Sequence, residues 1–167
     1  MKYVLALLLL LMTALVQTSV MPAFPVFGVV PNLVLALAVC WTIVRGQQEA
    51  MVVVPVAGVC LGLFGSQPLG VTLLAMMPVV LFAELRALRL TPSNFLLTVA
   101  IVFLSSMAYE TVLLVALRVE GETVGWFAAF WRVVLPTGIV SVLFTPPLYW
   151  LVWSRSEGPR RRVRAFA

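Results

Sequence analysis

The sequence predicts an all-α fold: a polytopic integral membrane bundle with six transmembrane helices. Of the 167 residues 63% are hydrophobic and 10% charged, with a mean hydropathy of +1.13. Soluble domains carry about 45–50% apolar and about 25% charged residues. The apolar residues fall in runs that approach the roughly 20 needed to cross a bilayer. Nearly all the charge sits in the breaks, and nine of the eleven basic residues lie at the chain ends or on alternate breaks.

The first run, Tyr3 to Val20, follows Lys2. A basic start and an apolar middle also fit a signal peptide. The run is long, however, and no A-x-A-like site precedes Met21, so it reads as a retained first span. Residues 21–32, MPAFPVFGVVPN, hold Pro22, Pro25, Gly28 and Pro31 and no charge. Proline breaks helices, so this is an outer loop, dipping into the interface through Phe24, Val26 and Phe27. Pro31 suits a first helical turn and opens a short second span that reaches Val44. Arg45 to Glu49 form a polar turn.

The third span runs from Ala50 to Phe64 with Pro55 inside, and GSQPLG at 65–70 forms a tight uncharged turn. The fourth runs from Val71 to Leu85 with Pro78 inside, and Arg86 and Arg89 follow. Thr91-Pro92 reads as an N-cap with proline in the first turn, opening a fifth span that ends near Leu117. Arg118, Glu120 and Glu122 mark the next turn, and one last span fills Trp126 to Trp153. The chain thus divides into a six-span domain, 1–154, and a basic tail, 155–167.

Basic residues favour the cytoplasmic side. Cytoplasmic termini place Lys2, Arg45, Arg86, Arg89, Arg155 and the tail inside, leaving Arg118 and Arg132 outside. Trp126, Phe127, Phe130 and Trp131 then mark the outer headgroup level, and Tyr149, Trp150 and Trp153 the inner one. The expected location is a membrane crossed six times, with both termini cytoplasmic. Arg160, Arg161, Arg162 and Arg164 form a tail suited to anionic lipid or an acidic partner surface. Their terminal clustering without interleaved aromatics argues against nucleic acid.

Glu110 is the outlier, seven residues before Leu117 and so roughly 10 Å below the outer edge. A carboxylate at that depth needs a partner. Arg132 falls at roughly 9 Å below the same edge, and a two-bond fork between them is one reading. Ser106, one turn before Glu110, is placed to share its hydrogen bonds. The pair serves either helix register or a partner site. In the alternative reading Trp126 to Trp131 lie flat in the interface and Glu110 lacks Arg132. Glu84 beside Arg86 and Arg89, and Arg45 with Glu49, read as solvated edge pairs of little energy. Gly58-x-x-x-Gly62 suits close helix packing within the chain.

The chain has no His and no Asp, so a Ser-His-Asp triad, an intramembrane aspartyl pair and a His metal cage are all excluded. No spanning segment holds a Lys, and no glycine-rich phosphate loop is present. Cys40 and Cys60 read as small buried hydrophobes rather than metal ligands or a disulfide. The expectation is a protein without enzymatic activity, cofactor or metal.

Several stretches resemble the rod shape-determining MreD family in order and spacing. They are MPAFPVFGVVPNLVL at 21–35, AGVCLGLFGSQPLG at 57–70, an acid in the fifth span at Glu110, and Arg132 before Leu135-Pro136. Members often carry Asp where this chain has Asn32 and Gly62. The resemblance implies a non-enzymatic scaffold of the cell-elongation machinery. Such a scaffold binds MreC and helps couple MreB filaments to RodA and its penicillin-binding transpeptidase. It also implies a fold similar to the substrate-binding subunits of energy-coupling-factor transporters. The alternative function is therefore a vitamin-type transporter subunit. Thr72, Ser105, Ser106, Tyr109, Glu110, Thr137 and Ser141 are a thin polar set for such a ligand.

Overall fold

The computed structural model describes residues 2–23, 28–65, 67–84, 94–121 and 125–155. All the regular elements among them are helical. They are α1 (Lys2–Ser19), a 3-10 turn (Met21–Ala23), α2 (Leu33–Arg45), α3 (Gln47–Phe64), α4 (Leu69–Glu84), α5 (Asn94–Val119), α6 (Trp126–Ala129), a π-helical turn (Phe130–Val134), α7 (Leu135–Leu143) and α8 (Thr145–Arg155). Leu96–Val119 and Trp126–Leu143 are long and apolar enough to cross a membrane. Val4–Ser19, Leu33–Arg45, Gln48–Phe64 and Leu69–Phe82 are apolar and shorter.

The short α2 is the axis of the bundle. It packs against α1, α3, α4, α5, α7 and α8. Every residue from Leu33 to Ile43 is buried. A helix apolar all round suits either lipid or a protein interior, and here neighbouring helices enclose it through packing rather than escape from water. Ala36 and Ala38 supply the small surfaces that let neighbours close in. The bundle's exterior is correspondingly oily, with Leu74, Leu81, Leu96 and Leu143 all more than 60% exposed. Large apolar side chains exposed on several helices belong against lipid or a partner.

Three boundaries differ from the sequence expectation. The polar turn after α2 shrinks to Gly46, whose φ of +100° favours glycine, and α3 already begins at Gln47. Glu49 is thus a first-turn residue, where a carboxylate suits the helix dipole. Asn32, not Pro31, opens α2, because its side chain caps the first turn. The last apolar run is not one helix. A π turn spans Phe130–Val134, with the Leu135 N–H reaching the Phe130 carbonyl, and the next residue, Pro136, has no N–H for the Arg132 carbonyl. A turn at Phe144 then separates α7 from α8, because Pro146 and Pro147 cannot continue the ladder. The expected cap at Thr91-Pro92 and the Arg86–Arg89 edge lie outside the described residues.

Candidate functional site

The start of α2 lies inside the bundle, so its free amides need protein partners. The Asn32 Oδ1 accepts from the Leu35 N–H at 3.0 Å. The Gln17 Oε1, from α1, accepts from the Val34 N–H at 3.0 Å. The Asn32 N–H donates to Ser141 Oγ of α7 at 3.3 Å. The Asn32 side chain shares a further hydrogen bond with Tyr109 of α5. Thr145 Oγ1 donates to the Ser141 carbonyl at 3.1 Å, extending the node towards α8. Asn32, Tyr109 and Ser141 are all buried. Asn32 therefore ties α2 to α5 and α7, and the Gln17 bond to Val34, two residues on, brings in α1. The sequence reading missed this node; its signal was an Asn directly before an unbroken apolar run.

Glu110 follows Tyr109 and is half-buried. No Arg132 nitrogen comes within the 4.0 Å of an ion pair with it, so the expected fork does not form. Arg132 is exposed on the π turn. The expectation rested on depth along each helix, which says nothing of direction around it. Thr111 and Leu114 on one side and Phe130, Trp131 and Val134 on the other line the cleft between the segments. Glu110 and Arg132 are each one residue away from that lining and so point elsewhere around their helices. Ser106 does not join Glu110 either; its hydroxyl and that of Ser105 are buried without a partner. Arg132→Leu is therefore expected to change stability by less than about 0.5 kcal/mol, read as an unmoved thermal midpoint in detergent.

At the other end of α2, Arg45 and Glu49 converge on the buried Trp41 rather than forming a simple edge pair. The indole Nε1–H donates to Glu49 Oε2 at 3.0 Å, and the Arg45 guanidinium lies 5.1 Å over the ring. A buried indole needs an acceptor, and the α3 first turn supplies it. Trp41→Phe should leave Glu49 without its donor and destabilise by about 1–2 kcal/mol, measured as a lowered thermal midpoint.

A second feature is an apolar groove of about 460 Å³ between α5 and the Trp126–Val134 segment. Thr111 and Leu114 form one wall, and Trp126, Phe127, Phe130 and Trp131 the other. Trp131 packs edge-on to Phe130 and tilted to Phe127, with ring centroids 6.3 Å apart in each case. The Arg118 guanidinium lies 5.7 Å over the Trp126 ring.

Gly58 and Gly62 face α4. A Cβ on Gly58 would meet Leu73 Cδ2 at 3.1 Å; one on Gly62 would meet Leu69 Cδ2 at 2.5 Å and Thr72 Oγ1 at 2.7 Å. Gly138, which the sequence reading did not single out, gives α7 the same closeness to Phe103 of α5. Cys40 and Cys60 are buried and unbridged. Among the described residues no three His, Cys, Asp or Glu gather as metal ligands. Arg160, Arg161, Arg162 and Arg164 lie outside the described residues.

Helices buried around one polar cap, glycine-mediated contacts and an oily exterior suit a structural membrane protein. Residues 1–154 match the family described as rod shape-determining protein MreD. The chain belongs to the MreD family. No curated protein and no solved structure matches it. The MreD match runs from α1 through all but the last residue of α8, so it takes in both the Asn32 node and the aromatic groove. MreD membership, with the apolar helices, makes this a membrane protein of rod-shape determination, and the family is structural rather than enzymatic.

Proposed function

We propose that the chain is a non-enzymatic inner-membrane scaffold of the elongation machinery, binding MreC and helping couple MreB filaments to RodA and its penicillin-binding transpeptidase. The match of residues 1–154 to the MreD family carries this reading. The geometry supports it. Asn32 and Ser141 are engaged in the helix junction, while apolar side chains cover the outside. Recognition then rests on helix faces, with half-buried Glu110 and exposed Arg132 available as polar contacts, on the loops, and on the tail.

Six crossings with both termini cytoplasmic fit the two long and four shorter apolar helices and the one-sided arginines. A fold similar to energy-coupling-factor substrate subunits belongs to the same proposal, as does binding of the 155–167 tail to anionic lipid through Arg160, Arg161, Arg162 and Arg164. Co-purification with MreC from a common membrane extract is the direct test. A stable complex is expected. A tightly held vitamin-like molecule and no MreC would overturn the scaffold reading.

A further inference from the structure

We propose that the chain forms a two-fold dimer in the membrane, with Glu110 of each copy paired to Arg132 of the other. Both charges lack a partner within the chain. Among the described residues Glu110 has no hydrogen bond and no cation within 4.0 Å, and Arg132 has no hydrogen bond and no carboxylate within 4.0 Å. An unpaired acid or base in hydrocarbon is costly, and such groups face protein, water or each other. Arg132 is exposed, so its long side chain is free to leave its own chain. Glu110 is half-buried and thus still open to a side chain from outside.

Depth selects a second copy as the occupant. Thr111, next to Glu110, and Trp131, next to Arg132, line one cleft, so the acid and the base lie within about one turn of each other in depth. Copies in one membrane share one orientation. A two-fold axis relating them therefore runs along the membrane normal and leaves every residue at its own depth. Such a contact joins residue i to residue j only where i and j lie at one level, and it joins j to i at the same time. Glu110 and Arg132 meet that condition, so one association forms two pairs. A lipid headgroup, or a helix carrying a single base, would satisfy one of the two charges and leave the other.

The approach to Arg132 suits a helix. Exposed Ala128 and half-buried Ala129 lie one turn before it, whereas the rings of Trp126, Phe127, Phe130 and Trp131 line the cleft. Small residues let helices close in where no hydrophobic force joins them. The guanidinium is a planar fork that matches both oxygens of a carboxylate. Removing one member of such a pair leaves the other in a low-dielectric site without its partner. The expected weakening is about a hundredfold in the dissociation constant.

The test uses the full chain, fused at its C-terminus to a donor or an acceptor fluorescent protein and reconstituted in phosphatidylcholine vesicles. Energy transfer between copies is followed as added lipid dilutes them. The parent is expected to keep its transfer until dilution is high. Glu110→Gln and Arg132→Gln should each lose it at about a hundredfold lower dilution. Glu110→Arg and Arg132→Glu should each fail to pair with themselves yet pair with each other, since the mixture restores both contacts. A merely structural role for either residue would not give that recovery, which also shows that both variants fold. Where a reversal does not fold, the Gln variants decide. In detergent micelles that hold single copies, Arg132→Gln should leave the thermal midpoint unmoved. A parent chain that stays monomeric at every dilution, its charges left to a partner's helix or to lipid, would overturn the proposal. So would Gln variants that pair as well as the parent, or folded reversal variants that recover no transfer when mixed.

Discussion

Gly62→Val is expected to destabilise the purified protein by about 2–3 kcal/mol, seen as a lowered thermal midpoint and early aggregation in detergent. The cause is the α3–α4 contact. A Cβ at this position would already crowd the Leu69 side chain and Thr72 Oγ1, and would stand 3.0 Å from the Leu69 Cα. The Leu69 side chain can rotate away; its backbone cannot. Thr72 is held too, since its hydroxyl donates to the Leu69 carbonyl at 2.9 Å. Two further methyls therefore push the helices apart. Gly70 supplies the control. It lies in the first turn of α4 with open space where a Cβ would go, so Gly70→Ala should be neutral or stabilising through helix propensity. If Gly62→Val and Gly70→Ala behave alike, the contact is not as described. The same crowding bears on an acid at position 62: Gly62→Asp would drive a carboxylate into Leu69 and Thr72, which makes the glycine here a partner of the residues opposite it.

Helix existence was legible because each break announces itself chemically. Pro22 and Gly28 follow the end of α1, and Gly46 permits the positive φ between α2 and α3. What escaped was information that no one-dimensional pattern holds. The burial of α2 could not be read, because every long run in the chain is equally apolar and a helix facing lipid looks like one facing protein. The Glu110–Arg132 pairing failed for a related reason: rise per residue gives depth, whereas contact also needs the angle around each axis. The division of the last run was readable and was passed over. Thr145-Pro146 repeats the Thr91-Pro92 signal, but continuous hydropathy across Phe144 hid it. The π turn at Phe130–Val134 precedes Pro136, a residue whose missing N–H announces trouble for the carbonyl four back. Among site residues, Glu110 stood out by charge alone. Asn32 did not, because a neutral amide at a loop end has an ordinary explanation until its partners on two other helices are seen.

Asn32→Leu is expected to cost about 2–4 kcal/mol, combining the loss of an N-cap with buried polar groups left unpaired. The argument rests on where the cap sits. At a solvated helix start, water would replace the lost acceptor for the Leu35 N–H. Here Asn32 is 4% exposed and the surrounding groups are Tyr109, Ser141 and Gln17, already committed to the same junction. The leucine keeps the backbone bond to Ser141 Oγ but strands the Leu35 N–H and removes the side-chain partner of Tyr109. Asn32→Asp separates these losses. Aspartate caps as well as asparagine, so it keeps the Leu35 bond, at the expense of a carboxylate in a buried site. Ser141→Ala removes only one bond and should cost about 1 kcal/mol. The expected order of thermal midpoints is parent, then Ser141→Ala, then Asn32→Leu. A double variant of Asn32→Leu with Tyr109→Phe should fall by less than the sum of the two, because both act on one hydrogen bond. Strict additivity, or an Asn32→Leu protein as stable as the parent, would mean that the α2 cap does not hold α2, α5 and α7 together. The proposed scaffold would then need another source of rigidity for the faces it presents to its partners.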